Sequence, residues 1–211
     1  MKIKGLLLAI VASFILFACD DEPTPFEKPE TSMFFNGFVN NYEKSIVEGQ
    51  NGYRYVTTDS CATIDLGVTW YATSLIYQGN SNYYMSNREC FGLNYYNLFD
   101  TVLTNRDSVV NKYFSGSMQF AYLDTTLAVP DEFMYGVEVI WIDGKGDTYT
   151  SLYTRQSNPM SFNPVSISFG ASGRTVRVEG TFSCNLYSLR EKKTASLTNG
   201  SARISIITSC F

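Results

Sequence analysis

The 211-residue chain contains no histidine, and this absence limits the chemistry that its other residues can perform. Neither a Ser-His-Asp triad nor a Cys-His pair can be assembled, and histidine-ligated zinc or iron is excluded as well. The sequence also lacks a G-x-S-x-G elbow, a phosphate-binding loop and a dinucleotide-binding glycine motif. We therefore expect a protein that is not an enzyme and that uses neither a metal nor a cofactor.

A carboxylate pair is the remaining route to enzyme chemistry, because glycoside hydrolysis needs only two converging acidic side chains. Asp131, Glu132 and Glu138 are close in sequence, and Asp65 lies in a strand-like run. The competing interpretation places Asp131 and Glu132 in a solvated loop after Pro130, and Glu138 on the outward face of a strand. A small glycoside-active enzyme is kept as the second alternative function.

Two aspartates flank a glycine-containing segment that resembles a calcium loop only in part. Asp143 and Asp147 enclose two glycines, but the third loop position is Lys145 and the twelfth is Thr154. A calcium loop of the EF-hand type needs oxygen ligands at those positions. The pattern therefore favours a hairpin turn over a metal site.

Aromatic residues are the feature most open to a binding function, since fifteen Tyr, fifteen Phe and two Trp make up 15% of the chain. In each of the adjacent pairs Tyr83-Tyr84 and Tyr95-Tyr96, one ring must face the wet side if the segment is a strand. Exposed Tyr and Trp rings stack on sugars and peptides, so we predict these four residues and Trp141 as ligand-binding. The alternative is that aromatic residues are simply good strand formers.

Cys19 ends an apolar run of 14 residues that begins at Gly5 and follows Lys2 and Lys4. This layout is typical of a secretory signal peptide, and the run is shorter than the ~20 residues of a spanning helix. The final Leu-Phe-Ala-Cys resembles a bacterial lipobox, in which the cysteine is acylated. We therefore predict a lipoprotein signal peptide over residues 1–18 and lipidation of Cys19. A transmembrane anchor or an ordinary signal peptide is the alternative.

Beyond Cys19 the composition predicts a tether followed by one domain. Residues 19–31 are acidic and contain three prolines, which is typical of an extended linker, and a β-rich domain follows over residues 32–211. Loss of residues 1–18 removes two of the 16 basic residues and none of the 20 acidic ones, so the formal charge changes from −4 to −6. An acidic domain without a basic stripe is a poor partner for nucleic acid.

Four further cysteines form an even set, which in an exported chain indicates two disulfides. Four cysteines allow three pairings. We favour Cys61–Cys90 and Cys184–Cys210, because both close loops of about 30 residues, each worth roughly 3–4 kcal/mol. A zinc site is the alternative, but there is no C-x-x-C pair to support it.

Alternation with period two dominates the rest of the chain, with apolar positions at Met118, Phe120 and Tyr122 and again at even positions from Val176 to Leu186. Turn signals such as Asn51-Gly52 and Asn199-Gly200 separate these runs. We predict an all-β fold, an antiparallel sandwich or a lipocalin-like barrel. One segment after Asp107 suits a helix or a strand equally.

Short motifs in the second half of the chain resemble a pattern in small exported lipoproteins of Bacteroides-type bacteria. The matching segments are Gly136-Val137-Glu138-Val139, Asp143-Gly144-Lys145, Tyr149-Thr150-Ser151, Gly180-Thr181-Phe182-Ser183 and Leu197-Thr198-Asn199-Gly200. The resemblance implies an outer-membrane lipoprotein exposed at the cell surface, with no activity attached. We expect a non-enzymatic module that binds a glycan or an envelope protein. A structural or assembly subunit of an envelope complex is the first alternative.

Overall fold

The computed structural model describes residues 32–64, 67–78, 89–100, 114–123, 135–170 and 173–208. These residues form eleven strands and one short 3-10 turn, and they belong to one compact unit, Ser32–Phe211. The predicted all-β class is confirmed. The strands are β1 Phe34–Val39, β2 Tyr42–Val47, β3 Tyr53–Ile64, β4 Gly67–Gln78, β5 Cys90–Asp100, β6 Gly116–Met118, β7 Gly136–Ile142, β8 Thr148–Thr150, β9 Met160–Gly170, β10 Gly173–Ser188 and β11 Lys193–Thr208.

All strand pairs in the described ranges are antiparallel and belong to one sheet, in the order β2-β1-β11-β10-β8-β7-β5-β4-β3. The long strand β10 pairs with β11 along its length, and β9 pairs with its first half and with β6. The sheet curls into a half-barrel, so that β11 also contacts β3 and β4. The predicted signal peptide 1–18, Cys19 and the tether 19–31 lie outside the described residues. No helix in the described ranges has the length and apolar character needed to cross a membrane.

Aromatic side chains fill the inner face of the curled sheet. The ring of Phe35 on β1 stacks on Phe91 of β5 with centroids 4.3 Å apart, and it meets Trp141 of β7 at 5.7 Å and Phe182 of β10 at 6.3 Å. All four rings are buried. The interior is therefore a packed core, as in small barrels whose side chains fill the space, and it leaves ligands to the outer surface. Most described positions predicted as buried from their alternation are buried, namely Met118, Val176, Val178, Phe182, Cys184 and Leu186, whereas Phe120 and Tyr122 are only half-buried.

The predicted hairpin is present: β7 and β8 pair around the turn that begins at Asp143. One carboxylate oxygen of Asp143 accepts the backbone N–H groups of Lys145 and Asp147, each at 2.9 Å. This carboxylate therefore stabilises the turn itself, as Asx turns do. The chain after Thr150 departs from the predicted strand and forms a 3-10 turn over Ser151–Tyr153.

The predicted turn at Asn199-Gly200 is instead a bulge within β11. Asn199 has a φ of 50°, and the β10–β11 register shifts between Phe182 and Cys184. A Cβ atom on Gly200 would lie 2.6 Å from Leu197 and 2.8 Å from the Phe182 ring, so only glycine fits against the core here. The Asn-Gly pair therefore bends a long strand, which is a common use of bulges in curved sheets.

The register of the sheet separates Cys61 from Cys90. Cys61 lies opposite Trp70, and Trp70 lies opposite Asn97, which is seven residues from Cys90 along β5. At about 3.4 Å per residue, roughly 24 Å lies between these positions along the strands. A disulfide requires Cα atoms within about 7 Å, so this register does not permit the predicted Cys61–Cys90 bond.

The second predicted pair involves Cys184 and Cys210, and Cys210 lies outside the described residues. Cys184 is a free thiol in the core, where burial raises its pKa to about 12. Cys184 on β10 lies opposite Leu197 of β11. The end of β11, at Thr208, lies opposite Arg174, which is ten residues from Cys184 along β10. The strand that leads to Cys210 therefore runs away from Cys184, and no disulfide is seen among the described cysteines.

In the part of the chain that the structure describes, strand β11 is joined to β3 and β4 by hydrogen bonds from side chains, not by backbone pairing between strands. Strand β1 pairs with β11 only as far as Arg203, which leaves the next backbone groups on that side without a strand. The Tyr55 hydroxyl accepts the Ser205 N–H at 2.9 Å and donates to the Ser205 carbonyl, and Ser74 Oγ donates to the same carbonyl at 2.8 Å. Two side chains of β3 and β4 therefore hold the end of β11.

We expect Tyr55→Phe to lower the free energy of unfolding by about 1.5–3 kcal/mol, because the Ser205 N–H loses its acceptor inside the protein. Burial raises the pKa of Tyr55 from 10.0 to about 12. The folded state therefore holds this proton more tightly than the unfolded chain does. Its stabilising effect is complete below about pH 10 and is lost as the pH rises to about 12.

Urea unfolding of both proteins at pH 8 and pH 11 measures this effect. The stability advantage of the natural protein over Tyr55→Phe should shrink at pH 11. An advantage of equal size at both pH values would contradict the assignment of Tyr55 as a buried, protonated link to β11.

Candidate functional site

The predicted ligand-binding aromatic residues do not form one surface. Tyr95 and Trp141 are each only 2% exposed and belong to the core, which removes them from the side chains that can stack on a ligand. Tyr96 points to the opposite face of β5, as strand alternation requires. Tyr83 and Tyr84 lie outside the described residues.

On that outer face, Tyr96 belongs to a polar cluster around Glu138, a residue that is only 6% exposed. Glu138 lies opposite Asn94 in the β5–β7 register. One of its carboxylate oxygens accepts Asn94 Nδ2 and the Tyr96 hydroxyl, both at 2.7 Å, and the other accepts the Thr150 hydroxyl. Glu138 therefore lies on the outward face of its strand, as expected, but its carboxylate is buried and fully hydrogen-bonded instead of facing solvent.

The Glu138 cluster has the character of a structural centre. Burial, and then the negative charge of Glu138, raise the pKa of Tyr96 well above its ordinary value, so the tyrosine stays a proton donor to the carboxylate. Tyr71 extends the cluster to the surface, with its ring centroid 5.1 Å from that of Tyr96. The donors that satisfy Glu138 are all neutral, whereas glycoside hydrolysis requires a second carboxyl group nearby. Asp65, Asp131 and Glu132 lie outside the described residues.

The described surface carries an open groove of about 560 Å³. This volume lies within the range of small-ligand sites. One wall comes from the end of β6 and the extended segment after it, and the other comes from the loop between the 3-10 turn and β9. The lining residues are Ser117, Gln119, Phe120, Tyr122, Arg155, Gln156, Ser157, Asn158 and Pro159.

Backbone hydrogen bonds fix the wall that carries Phe120 and Tyr122. The Val137 N–H donates to the Gln119 carbonyl and the Ala121 N–H donates to the Val137 carbonyl, both at 2.9 Å. Alternate residues of this segment face opposite sides: Ala121 is fully buried, whereas the rings on either side of it are half-buried. The alternation of residues 118–122 was recognised in the sequence, but it did not indicate that two of the apolar residues line a groove.

A side-chain amide fixes the opposite wall. Gln156 Oε1 accepts the Asn185 N–H at 2.8 Å, and Gln156 Nε2 donates to the Asn185 carbonyl at 2.7 Å. Thr154 Oγ1 donates to the same carbonyl, also at 2.7 Å. Gln156 thereby imitates a strand partner on a stretch of β10 between its β9 and β8 pairings. This double hydrogen bond anchors the loop that presents Arg155 and Asn158.

Among the described residues that line the groove, Arg155 is the only charged one and none carries a carboxylate. Its guanidinium carbon lies 5.0 Å from the centroid of the Tyr122 ring, a cation–π contact across the groove. The other described lining residues supply two aromatic rings, three amides, two serine hydroxyls and one proline. Such a surface offers apolar faces for C–H groups, together with donors and acceptors for hydroxyls.

The described residues contain no group of three or more acidic or cysteine side chains placed to hold a metal ion. Comparison of the chain with protein families, with curated proteins and with solved structures found no match in any of the three.

Proposed function

We propose that this protein is a non-enzymatic binding module that recognises a glycan chain in the groove lined by Phe120, Tyr122 and Arg155. The observation that carries the proposal is the lining itself, which combines half-buried aromatic rings with amides and one arginine on two anchored walls. A sugar ring has the complementary character, with apolar C–H faces and a rim of hydroxyl groups. Aromatic stacking and amide hydrogen bonds are how such ligands are held.

The packed interior supports a site on the outer surface. The rings of Phe35, Phe91 and Trp141 fill the centre of the half-barrel, and this packing favours the described outer surface as the place for a ligand chain. An open groove also suits a polymer better than a closed pocket, because a chain can enter and leave at both ends.

We further propose that lipidation of Cys19 holds this module at the outer membrane, facing the outside of the cell. The apolar run that stops at Cys19 and the acidic, proline-containing residues 19–31 support this location. Two or three acyl chains hold a protein stably on a membrane, whereas one chain does not. A tethered binding module would then meet extracellular glycans without being lost by diffusion.

A polysaccharide screen with the purified protein tests the proposal. We expect saturable binding to at least one glycan, and Tyr122→Ala should weaken it by about tenfold or more, because it removes the stacking surface and the partner of Arg155. Affinity electrophoresis or isothermal titration calorimetry measures the loss.

Tyr42→Ala is the matched control, since Tyr42 is 72% exposed on β2 and does not line the groove. Its binding should remain within twofold of that of the natural protein. Equal losses in both variants, or no glycan binding at all, would refute the groove as a glycan site.

A further inference from the structure

We infer that the groove selects an acidic glycan, one whose sugar units carry carboxylate groups, as uronic acids do. This inference rests on the proposed glycan-binding function and adds the chemical class of the ligand. It depends on the charge of the groove, on the state of Arg155 and on the arrangement of donors around it.

The charge of the groove opposes that of the protein. The whole chain carries a formal net charge of −4, yet the described residues that line the groove include no carboxylate, and Arg155 gives the groove a positive centre. Because its net charge is negative, the protein as a whole does not attract anions. A local positive site therefore favours ligands that carry a negative group at the matching position.

Arg155 has no ion-pair partner among the residues that the structure describes, whereas other arginines do. Arg203 pairs with Glu179, and Arg190 lies 3.6 Å from Asp147 and 3.8 Å from Glu191. The aromatic contact with Tyr122 restrains the Arg155 guanidinium without using its N–H donors on a carboxylate. An arginine restrained in this way is prepared for bidentate binding of a carboxylate.

Neighbouring groups suit the remainder of a uronate unit. Gln119 and Asn158 supply amide donors and acceptors, and Ser117 and Ser157 supply hydroxyls. The anchored Gln156 keeps the Arg155 loop in place. A ligand carboxylate on Arg155 would therefore place the sugar hydroxyls among neutral polar groups, where like-charge repulsion does not arise.

Binding of a tetragalacturonate and of its methyl ester by the full chain, purified in a mild detergent, tests the inference. The two oligomers share the same sugar backbone, and esterification removes the charge of each carboxyl group at the cost of one added methyl group. We expect the acid to bind at least tenfold more tightly than the ester at low salt, and this preference should decrease as salt screens the ion pair. Arg155→Gln should abolish the preference, and Arg155→Lys should retain part of it.

Arg190→Gln is the matched control, because it makes the same change in net charge at a site 75% exposed outside the groove. It should leave the preference unchanged. Equal binding of acid and ester would overturn the inference and leave glycan binding intact, as would binding of neutral glycans alone. Binding of dextran sulfate without tetragalacturonate would also overturn it, because the selected group would then be a sulfate. If the protein binds none of the glycans tested, the proposed glycan-binding function itself is refuted.

Discussion

Replacement of Glu138 with alanine is expected to lower the free energy of unfolding by about 3–5 kcal/mol. The substitution leaves the donors of Asn94, Tyr96 and Thr150 without their acceptor in a buried region. Each buried donor left unsatisfied costs about 1–3 kcal/mol, and the three losses partly overlap because the side chains can rearrange.

Glu138→Gln separates the hydrogen bonds from the volume of the side chain. It keeps the shape and one carbonyl oxygen, but its NH₂ group faces donors, so we expect a loss of about 1–3 kcal/mol. Glu43→Ala is the control, since Glu43 is an exposed strand residue whose replacement should change stability by less than about 0.5 kcal/mol. Urea unfolding followed by tryptophan fluorescence measures all three. A loss in Glu138→Ala no larger than that in Glu43→Ala would show that the cluster does not stabilise the fold.

Gly136→Ala is expected to destabilise the protein by about 3 kcal/mol or more and to weaken ligand binding in the groove. Gly136 has a φ of 121°, a conformation that L-residues avoid. A Cβ atom there would lie 2.4 Å from the Gln119 carbonyl oxygen and 2.9 Å from the Ala121 nitrogen. Both atoms belong to the backbone of the groove wall, so the wall must shift to make room.

Gly49→Ala distinguishes the steric clash from the cost of the backbone conformation. Gly49 has a φ of 82°, but a Cβ atom on it would meet nothing within 4 Å. Its replacement should cost only about 1 kcal/mol, and glycan binding should be unchanged. Thermal unfolding and the same titration calorimetry test both variants. Equal stability losses at Gly136 and Gly49, with binding intact in both, would contradict the close approach of β7 to residues 119–121.

The bulge that bends β11 could not be predicted from the local sequence pattern. The Asn-Gly pair at 199–200 has the composition of a hairpin turn, yet it lies inside a 16-residue strand as a bulge. The chain could not indicate this, because the same dipeptide suits both structures and the choice depends on how Gly200 packs against Phe182. The predicted Cys61–Cys90 pairing conflicts with the strand register for a related reason, since loop length says nothing about register.

The candidate site illustrates a different limit. The abundance of aromatic residues indicates that some rings are available to a ligand. It does not distinguish Phe120 and Tyr122, which line the groove, from the adjacent tyrosine pairs. Whether a ring is buried depends on what covers each face of its strand. Arg155 carries no local pattern that marks it as a site residue; its role appears only when β9, β10 and the segment after β6 bring it to Tyr122.

The sequence by itself determined the all-β class, the β7–β8 hairpin and the buried face of β10. These depend on period-two alternation and turn chemistry, which act between residues close along the chain. Only the tertiary structure decided the burial of Glu138, the link from Tyr55 to β11, the wide separation of Cys61 and Cys90, and the groove. Each of these depends on strand order and register, because residues far apart in sequence meet only after the sheet has closed on its core.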